Sequence, residues 1–270
     1  MRQVTVAVVQ MAPRLGEVEA NLERMGKQVE DICRDQKVDL IVFPELVTTG
    51  YECGVRFTDL AENLPGHIVG YMGQRASDFG VHLAFGLAEK HKVESVIYDS
   101  VVLIDPQGEL LTTYRKVHLR GEERLAFRAG YRFDVAETSF GLVGLLLGWD
   151  VAFPEAARCL ALQGAELLCV CANWEQPNAN AWRSYVLTRA LENSCFVAGA
   201  NRVGEEYSYR FCGNSAIVGP RGESLRTLEE AVEGVCLVTL DLDEVRKNRE
   251  DTQLLLVRQP RSYREIVRMY

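Results

Sequence analysis

The run Leu145-Leu146-Leu147-Gly148-Trp149-Asp150-Val151-Ala152-Phe153-Pro154-Glu155 decides how the chain folds. Its three leucines close an apolar stretch that begins at residue 142, as expected of a strand covered on both faces. Gly148 ends that stretch. A helix is expected from Pro154, because proline at the first helical position gives up an N–H that has no partner inside the helix, and Glu155 then lies near the positive end of the helix dipole. Strand, sharp turn and helix in that order are part of a βαβ unit.

The same order recurs on both sides of this run. Upstream, strands are expected over 4–9, 39–43 and 81–87, with helices over 18–33 and 67–79. Residues 96–105 and 110–114 flank Pro106-Gln107-Gly108-Glu109 and read as a hairpin. Downstream come a helix over 154–163 closed by Gly164, a strand over 167–172, a helix over 181–193, and strands over 196–201 and 235–240. This alternation implies an α/β fold, with the hairpin adding antiparallel pairs. No linker, low-complexity tract or fixed-period repeat divides the chain, so one domain over 1–270 is expected. The tail from 241 to 270 is dense in charge around one apolar cluster at 254–257. It is expected to pack at a subunit interface or to wrap its own domain.

Composition narrows the class. The chain has 270 residues, 47% of them apolar, enough to bury a core without disulfides. Thirty Lys and Arg against 38 Asp and Glu leave a net charge of −8, which argues against nucleic acid or an anionic membrane as partner. No apolar run approaches the roughly 18 residues of a membrane span, and the N-terminus enters a strand pattern directly, so a cytoplasmic protein is expected. The eight cysteines are scattered through apolar segments with no CxxC pair and no neighbouring His cluster. Neither a disulfide framework nor a metal site is suggested.

Three segments place polar residues just beyond apolar strands, where open α/β folds build their sites. Glu45 follows the 39–43 strand and Pro44; burial there would raise its pKa and fit it for general base work, while helix capping or an ion pair is the structural alternative. Lys116, in Tyr114-Arg115-Lys116-Val117-His118-Leu119, would stabilise an oxyanion if it points inward, and is a solvated lysine otherwise. His118 reads as a structural histidine rather than a base. The third segment is the Gly148 turn, in the strand–turn–helix setting where hydrolases present a nucleophile. Here the turn carries no side chain.

Taken together, the segments resemble the nitrilase superfamily of carbon–nitrogen hydrolases over essentially the whole chain. The matching stretches are VAVVQMAP at 6–13, DLIVFPELVTTGY at 39–51, YRKVHL at 114–119, GWDVAFPEAAR at 148–158, GAELLCVCANW at 164–174, RALENSCFVAGANRVG at 189–204 and GNSAIVGPRGE at 213–223. The resemblance implies a four-layer αββα sandwich, assembled into homodimers or larger homo-oligomers, with a Glu–Lys–Cys catalytic set and no cofactor. It implies that Glu45 is the general base, Lys116 the oxyanion-stabilising lysine, and Glu123 a second active-site glutamate that positions substrate and lysine. Trp149 would give its backbone N–H to the oxyanion, and Asn173 and Trp174 would line the pocket for a small amide substrate. Asp150 after Trp149 is similar to the amidase branches.

The resemblance places the family's nucleophilic cysteine at position 148, where this chain has glycine, and no cysteine lies between 54 and 158. Glycine has no atom that attacks a carbonyl, so the covalent route is expected to be closed. Two accounts fit. One is an amidase silenced at Gly148, an inactive variant that keeps its other charged groups; the alternative is a natural non-catalytic relative that binds an amide or carboxylate. A third possibility gives the nucleophile's role to Cys171, although a cysteine within an apolar strand is usually inert.

Overall fold

The computed structural model describes residues 1–92 and 96–268. It contains two six-stranded sheets. In chain order the elements are β1 (Gln3–Gln10), α1 (Val18–Cys33), β2 (Leu40–Val42), α2 (Phe57–Leu60), α3 (His67–Phe79), β3 (His82–Lys90), β4 (Ile97–Ile104) and β5 (Leu110–Arg115). Then come α4 (Glu123–Ala126), β6 (Val135–Glu137), β7 (Leu142–Leu147), α5 (Pro154–Leu162), β8 (Leu167–Ala172) and α6 (Ala179–Asn193). The series ends with β9 (Phe196–Asn201), β10 (Ala216–Val218), β11 (Ser224–Thr227), β12 (Gly234–Asp241) and α7 (Asp243–Thr252). The first sheet runs β12-β1-β2-β3-β4-β5 and the second β11-β10-β9-β8-β7-β6.

Side-chain alternation along the strands sorts the apolar residues into layers. Val4, Val6 and Val8 of β1 and Leu40 and Val42 of β2 face the gap between the sheets, where they meet Val143, Leu145 and Leu147 of β7 and Leu167 and Cys169 of β8. The intervening residues point outward. On the first sheet Ala7, Val9 and Ile41 pack under α1 and α3, through Leu22, Met25 and Val29 of α1 and Met72 and Ala76 of α3. On the second, Leu146, Leu168 and Val170 pack under α5 and α6. The result is a four-layer αββα sandwich.

The expected elements match these spans to within three residues at any end. Sequence reading passed over β6 and β10, three residues each and too short to show alternation, and β11, a polar edge strand. The tail resolves in part. Leu242 and Val245 enter the core between the sheets, and Asn248 Nδ2 donates to the Pro220 carbonyl at 2.8 Å, so this segment wraps its own chain. Leu254, Leu256 and Val257 are exposed. Met269 and Tyr270 lie outside the described residues.

Strand direction decides where the chemistry gathers. β1, β2 and β3 are parallel, as are β7, β8 and β9, while β4 and β5 form antiparallel returns. The carboxyl ends of β2, β5, β7 and β8 therefore deliver Glu45, Lys116, Gly148 and Asn173 to one region. The Glu45 segment also lies hard against β3: Gly86 N donates to Pro44 O at 3.1 Å, and Val47 N donates to Gly86 O at 3.1 Å. A Cβ on Gly86 would sit 2.5 Å from Glu45 Cα and 2.6 Å from Leu46 N, so no other residue fits without moving the backbone. Gly86→Ala is therefore expected to destabilise the fold by about 1–3 kcal/mol, as overpacking does. Urea unfolding of the variant beside the native chain measures this.

Candidate active site

Lys116 is 1% exposed, and its ammonium sits among three carboxylates. Nζ donates to Glu45 Oε1 at 2.6 Å and to Glu123 Oε1 at 2.7 Å, and lies 3.6 Å from Asp99 Oδ2. Both glutamates are further held. Glu45 Oε2 accepts from Asn173 N at 2.8 Å; Glu123 accepts from Tyr51 Oη at 2.9 Å and, through Oε2, from Arg120 N at 2.9 Å. Glu45 and Lys116 thus behave as the inward-facing pair that their positions after strands allowed, and the solvated alternative for Lys116 is excluded by its burial.

Electrostatics follow from this desolvation. Burial pushes the Glu45 carboxyl above its ordinary range, with Lys116 opposing and Glu123 adding to the rise. Asp99, in β4, goes well above it through burial and the nearby Glu45. Burial alone disfavours the Lys116 ammonium, but Glu123, Glu45 and Asp99 outweigh that cost and hold its pKa well above the usual lysine value. Glu45, Asp99 and Glu123 have carboxylate oxygens within 4.8 Å of one another, as a bound metal would require. The lysine ammonium already sits among them, so the donor set suits that internal cation rather than a metal.

Gly148 opens the turn after β7 with φ +34°. A Cβ built there would lie 2.5 Å from Glu45 Oε2 and 3.0 Å from Oε1. The turn is fastened to the lysine segment by Asp150, which is fully buried. Asp150 accepts from Tyr114 Oη at 2.6 Å and from His118 N at 2.9 Å, and pairs with His118 Nδ1 at 2.8 Å. His118 also stacks on Phe153 at 3.6 Å between ring centroids. Its ring is committed to holding the turn and is not aimed at the cavity.

These groups surround a cavity of about 90 Å³. Its lining includes the seven residues that the family resemblance places at the site: Glu45, Lys116, Glu123, Gly148, Trp149, Asn173 and Trp174. Trp149 stacks on Trp174 at 5.4 Å, and the Arg120 guanidinium lies 4.3 Å above the Trp149 ring while pairing with Glu175 at 2.8 Å. Asn173 is 8% exposed, and neither atom of its side-chain amide has a hydrogen-bond partner among the described residues. A buried amide whose NH2 group and carbonyl oxygen are both free is equipped to meet a polar ligand.

Cys171 does not join the set. It faces the gap between the sheets, and burial first, then Cys169 and the nearby carboxylates, pushes its thiol well above the ordinary value. It is an inert core thiol. Sequence reading missed Tyr51, Arg120, Gly121, Glu175 and Tyr209, which complete the lining. Tyr51 closes the same DLIVFPELVTTGY stretch that contains Glu45, and Glu175 directly follows Trp174, so adjacency was the available signal. Glu206 was invisible from sequence. Buried with Arg202, it accepts from Tyr51 N at 3.1 Å and Glu52 N at 2.6 Å and so fixes the loop that presents Tyr51.

A buried lysine held by two glutamates lies at the strand ends of this αββα sandwich. Residues 5–250 match the carbon–nitrogen hydrolase family. The chain is 41% identical over 252 residues to a probable nitrilase of Schizosaccharomyces pombe, covering 92% of this chain and 93% of that protein. A carbon–nitrogen hydrolase from Helicobacter pylori superimposes with a TM-score of 0.92 at 26% identity, covering 99% of both chains. A Cys-to-Ala variant of an amidase from Nesterenkonia sp. AN1, in complex with butyramide, matches at 27% identity with a TM-score of 0.82, covering 93% of this chain and 95% of that one. The chain belongs to the carbon–nitrogen hydrolase family of the nitrilase superfamily.

Replacing Lys116 tests the electrostatic account without any substrate. Lys116→Met leaves Glu45 and Glu123 buried without their cation and is expected to cost about 3–5 kcal/mol at pH 7. The Glu45 carboxyl, whose folded-state pKa is raised, binds its proton more tightly when folded, so it favours the fold at low pH and loses that contribution as pH rises. The deficit of Lys116→Met should therefore shrink toward about pH 5, as urea titrations at the two pH values will show.

Proposed function

We propose that the chain is an amidase scaffold for a small amide, with Gly148 at the nucleophile's position, and that as written it does not hydrolyse by the covalent route. The observation that carries this reading is the direction of the missing side chain: a Cβ at 148 points at the carboxylate of Glu45, 2.5 Å away. Glu45 in turn holds Lys116 Nζ at 2.6 Å. Base, cation and vacant nucleophile position are thus contiguous. The butyramide bound by the Cys-to-Ala amidase variant supports a short aliphatic amide as ligand. Glu45, Lys116 and Glu123 are assigned the catalytic roles, and Trp149, Asn173 and Trp174 substrate contact.

With a thiol restored at 148, the steps balance as follows. Glu45 takes the thiol proton as sulfur bonds to the amide carbon, and the carbonyl electrons move to an oxyanion facing Lys116. The C–N bond then breaks, and nitrogen takes the proton from Glu45 and leaves as ammonia. Water gives a proton to Glu45 and attacks the thioester; sulfur leaves and recovers that proton, releasing the acid. Without the thiol the first bond cannot form. In the same reading residues 1–270 form one domain that assembles as a homodimer or larger homo-oligomer, with the exposed Leu254, Leu256 and Val257 of the tail at the subunit interface.

Gly148→Cys is the direct test, assayed by ammonia release on short aliphatic amides, carbamoyl amino acids and nitriles. Activity should appear in the Cys form and stay absent from Gly148→Ala, which adds the Cβ without the sulfur. Silence of the Cys form across the panel with ligand binding retained would instead establish a binding protein for an amide or carboxylate. Both substitutions place a side chain at φ +34°, so each should lose about 1–2 kcal/mol of stability.

A further inference from the structure

The carboxyl of Asp99 has no part in the steps above, yet it belongs to the same buried cluster. It is fully buried, and neither of its oxygens receives a hydrogen bond from any group among the described residues. Its nearest cation, Lys116 Nζ, is 3.6 Å away and already committed to Glu45 and Glu123 at 2.6 and 2.7 Å. Glu45 and Glu123 each accept at both oxygens and are satisfied as anions. Asp99 is not. A buried carboxylate without donors is costly, and three anions about one ammonium would leave two uncompensated negative charges in a largely desolvated cluster.

We propose that Asp99 is held as the neutral carboxylic acid and directs its O–H at the carboxylate of Glu45, acting as a positioning residue that keeps Glu45 ionised. The groups facing Asp99 are Glu45 beyond β2, Lys116 beyond β5, Glu123 of α4, Tyr114 of β5 and Cys171 of β8. Two of these, Glu45 and Glu123, offer negative charge; Glu45 acts on Asp99 the more strongly and is also the base in the proposed reaction. An O–H donor stabilises the ionised base and lowers its pKa against the rise that burial imposes. The backbone fixes the geometry, since Lys116 N donates to Asp99 O at 2.9 Å. One residue of β4 thereby presents its carbonyl to the lysine backbone and its carboxyl to the cluster.

The kinetic part of the test rests on the amidase reading; the spectroscopic part does not. In the native chain labelled with ¹³C at aspartate and glutamate side-chain carboxyls, one aspartate should give the signal of a neutral acid at pH 7, and Asp99→Asn should remove it. Absence of that signal overturns the proposal whatever the chain's activity. In the Gly148→Cys background, Asp99→Ala removes the donor, so the acid limb of kcat/KM should move up by about one pH unit, a loss of about tenfold on that side. Asp99→Asn keeps a neutral donor and should restore the limb's midpoint. If Asp99 is instead an anion, both substitutions remove a negative charge and both move the limb down; that result, or no movement in either, overturns the proposal. If the Gly148→Cys chain is inactive, the amidase reading fails while the carboxyl signal still decides the state of Asp99.

Discussion

The Lys116 ammonium is the point on which the site depends. Its carboxylate neighbours arrive on three separate pieces of backbone: the loop beyond β2, the interior of β4 and the short α4. The two glutamates could not be buried at this density without a cation in their midst, and the cation could not be buried without them. The cluster is therefore assembled all together or not at all. It ties the end of β5 to that of β2 within the first sheet, and through Asn173 N on Glu45 it reaches the second.

The backbone around this cluster is arranged for close approach rather than for regularity. Gly86 lets the Glu45 segment lie against β3, and Leu46 takes a positive φ of 45° immediately after the glutamate. A buried leucine in that region is strained, and such strain persists only where the surroundings dictate the conformation. On the opposite side Asp150 binds the segment that carries Lys116 to the turn that carries Gly148. The two halves of the site are thus held in register by a buried carboxylate that itself faces away from the cavity.

The fold was legible in the sequence because both sheets have central strands covered on each face. Runs such as 39–43 and 142–147 leave no other use for so many consecutive apolar residues. The short strands β6 and β10 were not legible, since three residues do not establish a period. Within the site, Glu45, Lys116 and Gly148 stood out by position at strand ends, and the family resemblance added Glu123, Asn173 and Trp174. Asp99 and Glu206 escaped because their meaning lies in distant partners. One is an acid within an apolar strand and the other a glutamate in a polar loop, and nothing local separates either from a solvated side chain.

Glycine at position 148 relaxes two constraints at once: the turn accepts its positive φ without strain, and the Glu45 carboxylate rests where a side chain would crowd it. Glycine is therefore the more comfortable occupant of this turn, and any residue with a side chain is the more strained one. Placing a thiol there is uphill in stability even though it is a change of one residue. The asymmetry is a property of the fold alone: folding energetics favour glycine at this turn over any residue with a side chain, because the buried Glu45 carboxylate occupies the space beside it.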